Sequence, residues 1–521
     1  MVVPELRAWR AARPHVVRVA RTVKPHVARI TQAVRPPSVR LTTPQVTAIA
    51  ATVGLALAAG AVAAAGPWDS TGQRTAERDW AASQEGEGGA DHGRRSDTSQ
   101  KPAQPQPAPS AASVLARVGG SASAVPAPAE KALADVLDPL LDKAAVLGAR
   151  RTAVVVDVAT GKRLYGKGAD EVQIPASTTK IATAVAALSA TGPEHRIKTR
   201  TVLEPDTKEV VLVGGGDPTL TAEKDADGWA SLHTLADRTA TALKDRHMDR
   251  VTLSYDTSLY AGPALHPIGV NDNIAQVTSL MVDEGRSDDS TGGPAARVPD
   301  PAADAARQFA DLLHDRGIKT TNPGPSKATN RAEALASVSS APLSALVERM
   351  LTNSDNDIAE ALARQVALAS GEQPSFEGDA KAMHAQLKKL GLPLSGTNFA
   401  DGSGLNRADR LSADLLTALL AKAGDPAHPE LRPVLTGLPV AGFTGTLSTR
   451  YSDDPAATGV VRAKTGTLTG VNTLAGTVVN ADGRLLAFAF LASDEADPPN
   501  TVEARAALDH AATALAACGC R

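Results

Sequence analysis

Three short runs carry side chains suited to acyl transfer. Ser177-Thr178-Thr179-Lys180 sets a hydroxyl and an amine three residues apart. Ser354-Asp355-Asn356 adds a second hydroxyl and an amide, and Lys464-Thr465-Gly466-Thr467 adds a cation flanked by hydroxyls. Ser and Lys at i and i+3 share one helix face, so the amine can reach the hydroxyl. A serine hydroxyl is a weak nucleophile and needs an adjacent base. Lys180 can be that base only when neutral, and burial or a second cation such as Lys464 would lower its pKa toward that state. Lys464, Thr465 and Thr467 would line one cleft wall and suit a substrate carboxylate. Gly466, lacking a side chain, would let substrate come close.

Taken singly, each run has an ordinary explanation. Ser-x-x-Lys is also a capped helix start with a surface lysine. Ser, Asp and Asn all cap helices well, and a basic residue on an edge strand is common. The local contexts favour chemistry. Ser177 follows a strand pair (152–158 and 163–165) and a Pro-Ala turn, and opens an apolar helix over 177–188. Ser354 sits between helices expected at 343–351 and 358–368. Lys464 begins a strand followed by a hairpin, 471–479 and 484–492, around the turn Asn480-Ala481-Asp482-Gly483.

Between the first two runs the pattern changes. Short strands at 201–203 and 210–213, a helix at 232–243 and a strand at 251–253 precede a polar, glycine-containing loop at 283–301. Residues 195–335 therefore read as an inserted domain splitting a larger one, 125–194 and 336–521. A helix is also expected over 129–147 from its apolar spacing.

The chain has 521 residues and a net charge of −3, unevenly placed. Residues 1–40 hold nine Lys/Arg and one acid, so the remainder is mildly acidic and unsuited to nucleic acid. Val46–Ala65 is an uncharged run of 20 residues, about 30 Å as a helix and enough to cross a bilayer core. The basic arm (1–45) before it would hold the N-terminus in the cytoplasm and place the rest outside. Two readings fit: a signal anchor over 46–66, or a long signal peptide cut near Ala61-Val62-Ala63. The long leader favours the anchor. The arm repeats itself, PHVVRVARTVK then PHVARITQAVR, and its charges suit anionic headgroups or simply fix topology. Residues 67–124, rich in Gly, Ser, Pro and charge, lack the periodicity to bury a core and read as a flexible linker. Cys518 and Cys520 are the only cysteines, and a bridge across one glycine would be strained. The eleven histidines show no metal-ligand grouping, so no metal or other cofactor is expected.

With all three runs in order, the chain resembles the D-alanyl-D-alanine carboxypeptidase/endopeptidase group of penicillin-binding proteins, of low molecular mass. The nearer likeness is to class C, the S13 peptidases, which carry an insertion between the first two motifs. Gly215-Gly216-Asp217-Pro218-Thr219-Leu220 and Asp401-Gly402-Ser403-Gly404-Leu405 support it. The resemblance covers about 130–521. It implies an α/β (α+β) transpeptidase-like, serine β-lactamase-like domain with helices packed on an antiparallel sheet. It further implies that Ser177 is acylated by a D-Ala-D-Ala carbonyl, Lys180 takes its proton and Ser354 relays a proton to the leaving D-alanine. Asn356 would bind the substrate amide. Lys464, Thr465 and Thr467 would hold the terminal carboxylate, and the N–H groups of Ser177 and Thr467 would form an oxyanion hole. Peptidoglycan stem peptides would be the substrates and β-lactams covalent inhibitors.

The insertion looks short for this group, so one extra domain is expected where larger members carry two, and the anchor is unusual. Class A β-lactamases share the motif order, but no Glu-x-x-x-Asn lies between the second and third runs. Class C β-lactamases have tyrosine where this chain has Ser354. A non-catalytic scaffold that binds wall fragments is disfavoured by the intact motifs. Carboxypeptidase and endopeptidase action both cleave after a D-amino acid, and the residues do not separate them.

Overall fold

The computed structural model describes residues 126–519 apart from 143, 452 and 453. The basic arm, the expected membrane segment 46–66 and the linker 67–124 lie outside the described residues. Among the described residues no helix is long and apolar enough to cross a membrane.

The chain enters through α1 (Glu130–Leu141) and α2 (Ala144–Leu147), two helices where one was expected. Next come β1 (Arg150–Asp157), β2 (Arg163–Lys167), β3 (Val172–Gln173) and α3 (Thr179–Thr191). A second sheet follows, built from β4 (Lys198–Leu203), β5 (Glu209–Val213), β6 (Arg250–Asp256), β7 (Lys319–Thr320), β8 (Gly324–Pro325) and β9 (Glu333–Ser339), with α4 (Leu232–Lys244) and α5 (Pro301–Asp315). The chain then returns to the first layer. There it forms α6 (Leu343–Asn353), α7 (Asn356–Ser370), α8 (Phe376–Lys389), β10 (Leu411–Ser412), α9 (Ala413–Gly424) and α10 (Arg432–Thr436). β11 (Val461–Leu468), β12 (Val471–Val479), β13 (Leu485–Ser493) and α11 (Thr501–Ala517) complete it. Cys518, just past α11, is disulfide-bonded.

The principal sheet has the order β11-β12-β13-β1-β2, and every pair in it is antiparallel. Side chains alternate across a strand, and here both faces are covered. Val154 and Val156 point into a cluster with α3, α6, α7, α8 and α9. Ala153 and Val155 point into the opposite cluster with α1 and α11. β13 repeats this, with Ala487, Ala489 and Leu491 on one face and Phe488 and Phe490 on the other. Two covered faces explain why these strands read as unbroken apolar runs. α3 is buried from Thr179 to Leu188, because it lies at the centre of the helical layer. Alanine suits that place, since it lets neighbouring helices approach on all sides.

The second sheet lies wholly between α3 and α6 in sequence. Its order is β7-β6-β5-β4-β9, with β8 on β6. It is mixed: β4 pairs antiparallel with β5 and β9, while β5, β7 and β8 run parallel to their β6 partner. Its core joins Leu212, Leu235, Leu253 and Phe309 from the sheet, α4 and α5. β9 runs to Ser339, past the boundary of 335 read from the sequence. Only Val338 of β9 is buried, with Leu335 and Ala336 packed partly against the core. The stretch between β6 and α5 is mostly irregular and reaches back to α7: Ala275 N donates to Asp357 at 2.9 Å, and Arg297 pairs with the same carboxylate.

Candidate active site

Ser177 lies in a single 3-10 turn, Ala176–Thr178, that runs directly into α3. The turn is locked at Pro175, whose carbonyl accepts from the hydroxyls of Thr178 at 2.7 Å and Thr473 at 2.8 Å. Ala176 is held at φ 48°, a left-handed conformation costly for a residue with a Cβ. Its burial beneath β11 and β12 keeps it there. The turn leaves Ser177 half-buried and puts Lys180 in the first turn of α3. Lys180 Nζ donates to Ser177 Oγ at 3.0 Å, to Asn356 Oδ1 at 2.7 Å and to the Ser403 carbonyl at 2.7 Å.

The second run does two jobs. Ser354 closes α6 in the left-handed conformation (φ 60°, ψ 39°), and Asp355 caps α7 by accepting from Ile358 N at 2.9 Å. The capping expected of this run therefore falls on Asp355. Of its neighbours, Ser354 lines the cavity beside Ser177 and Asn356 turns to Lys180. Ser354 Oγ accepts from Lys464 Nζ at 2.8 Å, and Asn356 Nδ2 donates to the Asn273 carbonyl at 2.8 Å.

β11 brings the third run to the edge of the sheet beside the Ser177 turn. Lys464 is fully buried and also donates to the Thr465 carbonyl at 2.8 Å. Thr465 Oγ1 donates to Thr446 Oγ1 at 2.9 Å. Ser177, Ser354, Thr446, Thr465 and Thr467 line a cavity of about 610 Å³. A larger hollow of about 760 Å³, beside Thr160, Asp414 and Lys422, holds none of the motif residues, so size alone does not locate the site. Gly466 has a reason other than substrate access. A Cβ there would lie 2.1 Å from Thr473 Oγ1 and 2.7 Å from the Pro175 carbonyl. The absent side chain makes room for the nucleophile turn itself.

Burial pulls the Lys180 ammonium down to about 8, opposed by Asp401, Glu360, Asp355 and Asp409, which favour the charged form. Burial, and then the nearby Lys180 charge, push Lys464 well below the usual amine range. Mutual repulsion of the two amines was expected to act on Lys180. It is clearer on Lys464, because the carboxylates gather on the Lys180 side.

Those carboxylates form a support that motif spacing did not reveal. Residues 401–404 pack under Ser177: a Cβ on Gly404 would meet the Ala176 carbonyl at 1.9 Å. Thr183 Oγ1 donates to the Gly402 carbonyl at 2.6 Å. Asp401 accepts from the N–H groups of Ser403, Gly404 and Asn406, and Glu360 from those of Gly402 and Ser403. His266, from the irregular stretch after β6, approaches Asp401 at 3.1 Å and Glu360 at 3.8 Å. Burial pulls its pKa down, but the bonds to both carboxylates win and raise it to about 9. Two signals were available in sequence: the Asp-Gly-Ser-Gly run, and Glu360 one helical turn beyond Asn356. His266 had none.

Known proteins resemble this chain in sequence and in fold. The family model described as D-Ala-D-Ala carboxypeptidase 3 (S13) matches residues 133–292 and 287–515. Carboxypeptidase DacB of Mycolicibacterium smegmatis is 38% identical over 387 residues, covering 71% of this chain and 81% of that protein. The D-alanyl-D-alanine carboxypeptidase of Actinomadura sp. strain R39 is 29% identical over 443 residues, covering 70% of this chain and 82% of that protein. The crystal structure of penicillin binding protein 4 from Haemophilus influenzae superposes with a TM-score of 0.59 at 21% identity. It covers 73% of this chain and 97% of that one, and it shows the shared fold.

Proposed function

The chain belongs to the D-Ala-D-Ala carboxypeptidase 3 (S13) family, and from that premise we propose that Ser177 is its acylated nucleophile and Lys180 the base. The protein is a D-Ala-D-Ala carboxypeptidase, a hydrolase of peptidoglycan stem peptides. The observation that carries the assignment is the 3.0 Å contact between Lys180 Nζ and Ser177 Oγ, made by an amine whose pKa sits near 8. At pH 7 about one-tenth of such an amine is neutral, enough to serve as a base.

The contacts among Ser177, Lys180, Ser354 and Lys464 support the following steps. Neutral Lys180 takes the Ser177 proton as Oγ attacks the carbonyl carbon of the penultimate D-alanine. The oxyanion is held by the N–H groups of Ser177 and Thr467. When the C–N bond breaks, Ser354 gives its proton to the leaving nitrogen and is reprotonated by Lys464, 2.8 Å away. After burial, the Lys180 charge is the other cause that depresses Lys464, so the state in which Lys180 is neutral is the one that best leaves Lys464 an ammonium able to donate. Water then attacks the ester. Its proton passes through Ser354 to Lys464, and the Lys180 ammonium returns a proton to Ser177 Oγ. Both lysines end as they began. Asn356 holds the acyl-side amide, and Thr465 and Thr467 bind the substrate's terminal carboxylate. Penicillin would acylate the same oxygen. Lys464 does not reach the cleft as a direct carboxylate ligand in this scheme, because its ammonium is engaged with Ser354.

We read 46–66 as a signal anchor that keeps the enzyme at the outer face of the membrane, with 67–124 as its tether. The support is the uncharged 20-residue run behind a basic arm. The catalytic part would comprise 125–194 and 336–521, with 195–335 inserted. D-Alanine release from a synthetic stem peptide ending in D-Ala-D-Ala tests the assignment. Wild type should release it and Ser177→Ala should not; release by the variant would reject Ser177 as nucleophile.

A further inference from the structure

The cavity beside Ser177 has a wall that none of the three motifs supplies. α11 is capped by Asn500, whose side chain accepts from the N–H groups of Val502 and Glu503. Leu508, Ala511, Ala512 and Leu515 bury the inner face of α11 against the sheet. Val502, Arg505 and Asp509 lie on the face toward the cavity, three residues spaced three and four apart. Arg450 and Asp509 satisfy each other, with Nε and Nη2 donating to the two carboxylate oxygens at 2.8 and 2.5 Å. Arg505 differs. Its Nε donates to Thr467 Oγ1 at 3.3 Å, and among the described residues no carboxylate lies within ion-pair distance of it. The rest of its planar fork has no protein acceptor there. A guanidinium of this kind, beside the last hydroxyl of the third motif and over the same cavity as Ser177, matches a carboxylate in charge and shape.

Resting on the reading of Ser177 as nucleophile, we propose that Arg505 is a specificity residue that binds a carboxylate on the carbon attached to the scissile nitrogen. Ser177 and Arg505 line one cavity, so a substrate carbonyl at Ser177 places the leaving amino acid toward β11 and α11. Arg505 then selects leaving groups by that carboxylate. A terminal D-alanine qualifies, and so does a cross-link whose nitrogen sits beside a free carboxylate. A cross-link through a side-chain amine without that carboxylate, or a carboxamide terminus, does not. The residue thus divides substrates by the chemistry next to the nitrogen and not by whether the peptide is linear or cross-linked.

The test is kcat/KM on two N-acylated peptides that both end in D-Ala-D-Ala, one as the free acid and one as the carboxamide. Wild type should favour the acid. Arg505→Ala should lower kcat/KM for the acid on the order of 10–100-fold and for the amide less than about 3-fold. Arg505→Lys, which keeps the charge without the fork, should fall between on the acid and leave the amide alone. Equal losses on both peptides, or no loss on the acid, would overturn the proposal, and the Lys variant decides the matter by the same ratio if the Ala variant does not fold. Wild-type enzyme inert toward both peptides would instead overturn the underlying assignment. Equal wild-type activity on both, abolished by Ser177→Ala, would sink the role of Arg505 alone.

Discussion

Replacing His266 by Gln should weaken the support beneath Lys180, and the size of the effect follows from the site. His266 is buried between Asp401 and Glu360, with the edge of its ring against Phe376. Arg364 and Lys180 also face Glu360, Lys180 faces Asp401 as well, and Asp409 is a further acid facing both carboxylates. The two carboxylates raise the imidazole from 6.5 to about 9. At 1.36 kcal/mol per pH unit, this corresponds to roughly 3 kcal/mol of stability carried by the charged form. Because the folded pKa is the higher one, that stability is fully present below pH 6.5 and is lost as pH rises through about 9. Denaturant unfolding of wild type and His266→Gln at pH 6 and pH 9.5 checks it. The gap between the two proteins should be roughly 3 kcal/mol at the lower pH and small at the higher one. The variant should also lose activity at pH 6, because the Ser403 carbonyl that holds Lys180 hangs from Asp401. A gap independent of pH, or a His266 resonance titrating below 6.5 in labelled enzyme, would refute the reasoning.

The rate of acylation by penicillin should rise with pH up to about 8, since only neutral Lys180 accepts the Ser177 proton; stopped-flow rates that are flat or falling from pH 6 to 8 would contradict this. Ser354→Ala should cut kcat on the order of 10²–10⁴-fold with the fold intact, measured as D-alanine release; a loss under about threefold would remove it from the proton path. Gly466→Ala should destabilise the protein by about 1–3 kcal/mol and abolish penicillin labelling, because the new Cβ meets Thr473 and Pro175. Unchanged thermal unfolding in that variant would mean the turn yields freely.

The three motifs were legible because each is local and each lies at the end of an element with a strong periodic signal. The hairpin β12–β13 and the helices around Ser354 announce themselves by apolar runs covered on one or both faces. What escaped was long-range. His266 reaches Asp401 across 135 residues, and nothing about a lone histidine in an irregular stretch predicts such a partner. Arg505 is similar: its helix is Ala-rich and its face toward the cleft is set by packing of Leu508 and Leu515, not by a motif. Gly466 shows a subtler limit. The sequence marked it as a residue needing space, but only the register of β11 against β12, and the turn at Pro175, show what takes that space.

Everything proposed for the site depends on Ser177 being the acylated residue. Wild-type protein and Ser177→Ala should be incubated with a labelled penicillin, digested and mapped by mass spectrometry. Wild type should carry one drug-sized mass addition on the peptide holding Ser177, persisting for minutes or longer, and the variant none. An adduct on another residue, or no adduct on an enzyme that still releases D-alanine, would contradict it.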